Sequence, residues 1–234
     1  MDTDSVKVRA RVYFDGFNFY YGAFVDANGD PGPRAIYKWL DLRKFCEHVL
    51  PAHYDIRAIR YFTTPSHDAP GGSARRRQKI YLDALEAHSR VTIHADGHLE
   101  RRNKKRKLTH PENHDCGRNK VTVSWLEEKG ADVNLATYLL LDCFRDEFDV
   151  AVIVSDDTDL QGAINAVVEE FGKSVVVINV RKRGSSYVGV VDVFKASKPE
   201  YFRKNQLPIE VVTVDGDVLR CPASWGNQPP TSAA

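Results

Sequence analysis

The run Val150-Ala-Val-Ile-Val154, continued by Ser155-Asp-Asp-Thr-Asp159-Leu160, decides the fold. Five β-branched or small apolar residues in succession lack the alternation of a strand with one wet face, so they read as a strand buried on both faces. Val175–Val180 reads the same way. Between the two, Thr158-x-x-Gln161 is a capping-box pattern opening a helix to Phe171, which Gly172 ends. Upstream, Asp132 precedes a long amphipathic helix with Val133, Ala136, Leu139, Leu140, Cys143 and Phe144 on its apolar side. Near the N-terminus, Arg9–Phe14 (RARVYF) is a strand ending at Asp15, followed by a turn at Gly16–Asn18 and a short helix over Phe19–Val25. Asp41 caps a helix over Leu42–Leu50 that Pro51 stops. A strand over Asp55–Thr63, a helix over Ser73–His88 and a strand over Val91–Ala95 complete that half. Ser185–Phe194 reads as a helix, Pro199–Lys204 as a terminal turn, and Val211–Leu219 as a hairpin around Asp215–Gly216. Strands alternating with helices predict an α/β fold: a mostly parallel central sheet with helices on both faces, a Rossmann-like three-layer arrangement.

Length and composition agree. The chain has 234 residues, 42% of them hydrophobic, enough to bury a sizeable core. Residues 8–195 are expected to form the main domain, with a polar excursion at 98–120, an appendage at 196–225 and a disordered tail at 226–234. No apolar run is long enough for a bilayer, and MDTDSVKVRARV offers no apolar leader core. The 4 Cys form no close pairs, so the expectation is a reducing, cytoplasmic setting. Net charge is +1, from 33 Lys+Arg against 32 Asp+Glu, but its distribution is uneven. Residues 75 to 107 hold 11 basic and 4 acidic residues, a net +7, which leaves −6 for the rest. A basic stretch beside acidic clusters suits a polyanion held by one part and metal ions by the other.

Two strands end in acid, at Asp15 and at Asp156-Asp157-Thr158-Asp159. In sheets of this kind, sites form beyond the carboxyl ends of the strands. If the two strands are neighbours, Asp15 and Asp157 lie side by side, with Asp159 just beyond and Asp132 opening the helix that feeds the second strand. Carboxylates so close repel unless a cation or shared protons intervene. Hard oxygen ligands without converging His or thiolate suit Mg²⁺ or Mn²⁺. Singly, each acid has a plainer role: Asp132 and Asp159 as helix-start residues, Asp15 as a turn residue. Asp156 reads as a solvated loop charge.

The segments Asp15-Gly-Phe-Asn18-Phe-Tyr, Glu128-Lys129-Gly-Ala-Asp132-Val-Asn-Leu-Ala and Ser155-Asp-Asp157-Thr158-Asp159-Leu resemble, in this order, the NYN-domain proteins, a branch of the PIN-like nuclease superfamily. The resemblance spans roughly Val8 to Phe194. It implies a PIN-like fold and metal-dependent cleavage of RNA phosphodiesters, with an endoribonuclease as the expected activity. Carried over by position, Asp15, Asp132, Asp157 and Asp159 would be the catalytic, metal-binding acids. Asn18 and Ser155 would line the site, with Thr158 and Lys129 beside them. Asp156 stands where the family often has Gly. Lys129 could contact a phosphate or balance the acids. Two rival readings remain: a phosphatase using Asp15 as nucleophile, although position 17 is Phe rather than a second acid, and an RNA-binding scaffold without turnover.

Arg101, Arg102, Lys104, Lys105, Arg106 and Lys107 place six cations in seven positions, and Arg75, Arg76, Arg77 and Lys79 form a second group. Both are candidate RNA-binding surfaces, because an acidic metal centre needs something else to attract a polyanion. Single-stranded RNA is the expected partner, a membrane is not, and assembly with further copies of the chain stays open. Base-stacking aromatics would favour single strands; Phe17, Phe19, Tyr20 and Tyr21 are near the site in sequence but read as core. His110, His114 and Cys116 are zinc-type ligands, but the second Cys pair of a finger is missing, and a mobile loop is the better reading.

Overall fold

The first strand, β1 (Val8–Asp15), is the hinge of the architecture. Ala10, Val12 and Phe14 point into one core and Tyr13 into another, as the two-residue period of a strand requires. The computed structural model describes residues 7–66, 72–110, 119–181, 187–190 and 192–225. Beside β1 lie β2 (Tyr54–Phe62) and β6 (Val150–Val154), both parallel to it. Outside these lie β3 (Val91–His94) on one flank, and β7 (Ser174–Asn179) and β8 (Asp192–Lys195) on the other. The order is β3-β2-β1-β6-β7-β8, and every neighbouring pair is parallel.

The apolar run at 150–154 behaves as read. Val150, Val152 and Val154 enter the first core, Ala151 and Ile153 the second, and all five are buried. Burying each such side chain contributes about 1.5–3 kcal/mol, so the strand needs helices on both faces. The first face is covered by α1 (Gly16–Phe24), α2 (Leu42–Val49), α3 (Ser73–Ser89) and the short α6 (Pro199–Arg203). The second is covered by α4 (Ala131–Phe144) and α5 (Gln161–Asn165), the latter prolonged by a π-helical turn to Glu170. Phe202, Leu207 and Val211 also lie in the first core. The strands β9 (Glu210–Val212) and β10 (Val218–Arg220) pair as the hairpin expected around Asp215–Gly216.

The polar stretch after β3 forms a two-stranded antiparallel ribbon, β4 (His98–Lys107) with β5 (Lys120–Lys129), in unbroken register from His98↔Lys129 to Lys107↔Lys120. Its ladder satisfies the backbone without a core of its own, so side chains at Arg101–Lys107 stay exposed.

Several expectations need correction. Gly16–Asn18 is the first turn of α1, not a separate turn, because Asp15 caps that helix by accepting the Asn18 N–H at 2.9 Å. Among the described residues, the helix expected over Ser185–Phe194 is absent: 187–190 are irregular and Asp192–Lys195 is β8, whose backbone completes the sheet edge beside β7. Residues 182–186 and 191 lie outside the described residues. Thr158 is not a cap; Asp157 takes that role by accepting the Asp159 N–H at 3.0 Å. On α4 the buried face is Ala131, Leu135, Leu139, Asp142 and Cys143, whereas Val133 and Phe144 are exposed. The face shifts because Asp142 is drawn inward by Arg11 and Arg60 and by the Tyr13 hydroxyl, at 2.8–2.9 Å.

Candidate metal centre

The chain switches sides of the sheet between β3 and β6, so the carboxyl ends of β1 and β6 open into a crevice. Phe14 pairs with Val154, which sets Asp15 beside Ser155. Gly16 lets the start of α1 lie against β2: a Cβ at this position would sit 2.6 Å from the Phe62 carbonyl oxygen. Asp15 is buried, and its Oδ2 accepts the Ser155 hydroxyl at 2.7 Å. Ser155 Oγ in turn accepts the Asp157 N–H at 3.1 Å. Asn18 ties the strand ends together, since its Oδ1 accepts the Asp156 N–H at 3.2 Å. Asp132 enters from the first turn of α4 after Gly130, whose φ of 104° lies in the left-handed region that favours glycine.

One carboxylate oxygen from each of Asp15, Asp132 and Asp157 lies within 4.8 Å of the others. Asp159 stands outside this trio, in the 3₁₀ turn Thr158–Leu160 that Thr158 begins. Burial pushes the Asp15 carboxyl above its ordinary range. The Asn18 N–H and the Ser155 hydroxyl pull it back, and the charges of Asp157 and Glu128 add to the rise. Asp132 is pushed up to about 7, first by burial and then by Asp15, Asp157, Glu128 and Asp159. Such a trio is costly unless it holds protons or a cation. Three hard oxygen donors at this spacing suit a hard divalent cation.

Glu128 was not singled out as a site residue from sequence. Its Oε1 accepts the Thr64 hydroxyl at 2.7 Å and the Ala131 N–H at 3.1 Å, so it caps α4 while adding negative charge to the crevice. The signal was an acid three residues before the first helical residue. Tyr187 was also missed; its hydroxyl donates to the Asp157 carbonyl at 2.7 Å. Asp156 is not a solvated charge. It is half-buried, with Oδ2 3.9 Å from Arg181, and burial raises its carboxyl.

The remaining candidates lie on the ribbon and on α3. Lys129 ends the ribbon and pairs with Glu127 at 3.0 Å. Arg102 pairs with Glu100 and Glu127 at 2.9 Å, and Arg106 lies over the Trp125 ring. Lys104, Lys105, Lys107 and Arg101 are exposed along the same ribbon. On α3, Lys79 pairs with Asp83 at 2.7 Å, Arg75 and Arg76 are exposed, and Arg77 borders a cavity. His110 is on the described chain, but His114 and Cys116 fall outside the described residues, so the zinc reading does too. Among the described residues, no helix is long and apolar enough to cross a membrane.

Comparison with known proteins completes the picture. The chain is 31% identical to 6-hydroxy-3-succinoylpyridine 3-monooxygenase HspA of Pseudomonas putida (strain DSM 28022 / S16) in a 253-residue alignment that covers 97% of this chain and 78% of that protein. Among solved structures it is similar to VPA0982 of Vibrio parahaemolyticus RIMD 2210633, a protein of unknown function. That match has a TM-score of 0.47 at 13% identity, over 85% of this chain and 98% of that one. The profile of the NYN domain matches residues 9–196, which takes in all six strands of the sheet except Val8 and all three carboxylates of the cluster. With that match over most of its length, the chain belongs to the NYN-domain family of the PIN-like nuclease superfamily.

Proposed function

We propose that this protein is a divalent-metal-dependent ribonuclease that hydrolyses phosphodiester bonds of single-stranded RNA. The observation that carries the reading is the convergence of Asp15, Asp132 and Asp157 at the switch point of a parallel sheet. A Mg²⁺ or Mn²⁺ ion held by these oxygens would polarise the scissile phosphate and activate the attacking water. Asp15 is the fixed member, because Ser155 and the Asn18 backbone lock both its oxygens. Asp157 is braced through its backbone by Ser155 and Tyr187. Asp132 is the adjustable member, since its raised carboxyl would give up a proton to ligate a cation. Asp159 and Glu128 would add negative charge around such an ion, as both already act on Asp132, and Thr158 and Lys129 would line the approach to it. The cations at Arg101–Lys107 and Arg75–Lys79 offset this charge by attracting the RNA backbone.

The decisive experiment incubates internally labelled and end-labelled single-stranded RNA with and without Mn²⁺, beside Asp157→Asn. Mn²⁺-dependent fragments from the internal label, absent with Asp157→Asn, support an endoribonuclease. RNA that is bound but not cut in Mg²⁺ or Mn²⁺ would leave an RNA-binding scaffold.

A second reading borrows the activity in the Pseudomonas relative's name, oxygenation of a pyridine ring. One observation favours it, an aromatic-lined cavity next to the carboxylates. The donor set favours hydrolysis, since three carboxylate oxygens without a histidine suit a hard cation acting as a Lewis acid.

A further inference from the structure

We propose that the cavity beside the carboxylates is a subsite for one unpaired nucleobase of the RNA chain, an inference that rests on the reading of RNA as substrate. The cavity has a volume of about 430 Å³ and lies between α1, the end of β2, α3 and the base of the ribbon. That is within the usual range for a small-ligand site and ample for one base. Its walls include Phe17, Tyr20, Tyr21 and Tyr61, with Lys38 and Arg77 among them.

Phe17, Tyr20 and Tyr21 read from sequence as core, but Tyr20 is 37% and Tyr21 51% exposed. Their rings are held in place by one another. The Phe17 and Tyr21 centroids are 5.7 Å apart, and those of Tyr20 and Tyr21 5.5 Å apart at a steep angle. The Lys38 ammonium lies 5.0 Å above the Tyr20 ring and donates to its hydroxyl oxygen at 2.9 Å. Preformed aromatic surface flanked by cations matches a nucleotide, which brings a π-face for the rings and a phosphate for Lys38 and Arg77.

The cavity and the carboxylates share their walls. Gly16 lines the cavity and follows Asp15 directly. Thr64 also lines it and donates to Glu128, whose charge acts on Asp132. A strand with one phosphate at the trio therefore has an adjacent nucleoside at this opening. A base inside a duplex is stacked and paired and cannot enter without being flipped out. The cavity thus makes the substrate single-stranded at the cleavage point.

The test is a fluorescence titration in EDTA, which needs no turnover. The probe is an oligouridine carrying one 2-aminopurine, whose emission falls when the base stacks. Wild-type protein is expected to quench it, and the same base held within a duplex is expected to stay unquenched. Tyr21→Ala should abolish the quench and weaken binding roughly tenfold, the usual size for one base–aromatic stack. Tyr21→Phe should retain both. Tyr20→Ala is a second variant, and thermal melting checks that each folds. Unchanged quench and affinity in both alanine variants would overturn the subsite, as would a pyridine carboxylate that fills the cavity and is not displaced by the oligonucleotide. Mn²⁺-dependent cleavage with unaltered alanine variants refutes the subsite and leaves the nuclease reading. Quenching by the wild type without any cleavage does the reverse.

Discussion

Proton competition at Asp132 is the sharpest consequence of the carboxylate trio. The perturbation is pH, varied from 5 to 8 during titration of the protein with Mn²⁺. With the Asp132 carboxyl at about 7, the group carries a proton over most of this range. A cation must displace that proton, so apparent affinity should fall about tenfold per pH unit below 7, or roughly 100-fold between pH 7 and pH 5. Above pH 7 the curve should flatten. Asp15, raised chiefly by burial, acts in the same direction and can only steepen the fall. Calorimetry at pH 6 in two buffers of different ionisation enthalpy should report about one proton released per ion bound. Asp132→Asn should bind Mn²⁺ more weakly and lose most of the release. Affinity that is flat from pH 5 to pH 8 with no proton released would refute the reasoning.

The same group fixes a sign for stability in the absence of metal. Its folded value lies above its ordinary 3.8, so the folded state keeps the extra proton between about 4 and 7, and stability falls as pH rises through that window. Discounted for partial exposure, the loss by pH 8 is about 1–2 kcal/mol. It is read as the difference between wild type and Asp132→Asn in melts at pH 5 and pH 8, because Asp149, held low by its hydrogen bond from Arg9, pulls the other way. Asp157→Asn should lower cleavage about 100-fold or more without lowering the melting temperature, because Asn keeps the Oδ1 that caps the turn at Asp159; wild-type rates would remove this residue from the centre. Replacing Lys104, Lys105, Arg106 and Lys107 with Ala should flatten the slope of log K against log salt by up to roughly 3, and an unchanged slope would move the RNA path to Arg75–Lys79. Asp142→Ala should cost about 3–5 kcal/mol in urea melts, since it leaves Arg60 without its carboxylate and Arg11 with Glu147 alone, and a loss below about 1 kcal/mol would show that the cluster is solvated.

What the sequence determined by itself is local. The apolar runs at 150–154 and 175–178 identify buried strands because nothing polar interrupts them, and Asp41 announces its helix because a cap needs only its own next residues. The acids at 15 and 157 are legible as strand ends for the same reason. The ribbon strands were legible as too polar to pack, but not their ten-pair register, because a ladder depends on a partner some twenty residues away. Tertiary structure alone decided that β1 and β6 are neighbours, which turns two separate acids into one site. It also decided which face of α4 is buried. Leu140 and Phe144 are as apolar as Leu139, yet Asp142 goes inward, because Arg11, Arg60 and the Tyr13 hydroxyl converge there from two strands. The strand at Asp192–Lys195 forms because β7 offers an open edge, a cue that four residues do not contain. The tyrosines after Asp15 look like core in sequence. Only the placement of α3 and the ribbon leaves them facing an open cavity, because burial is set by what the rest of the chain packs against a residue and not by the residue itself.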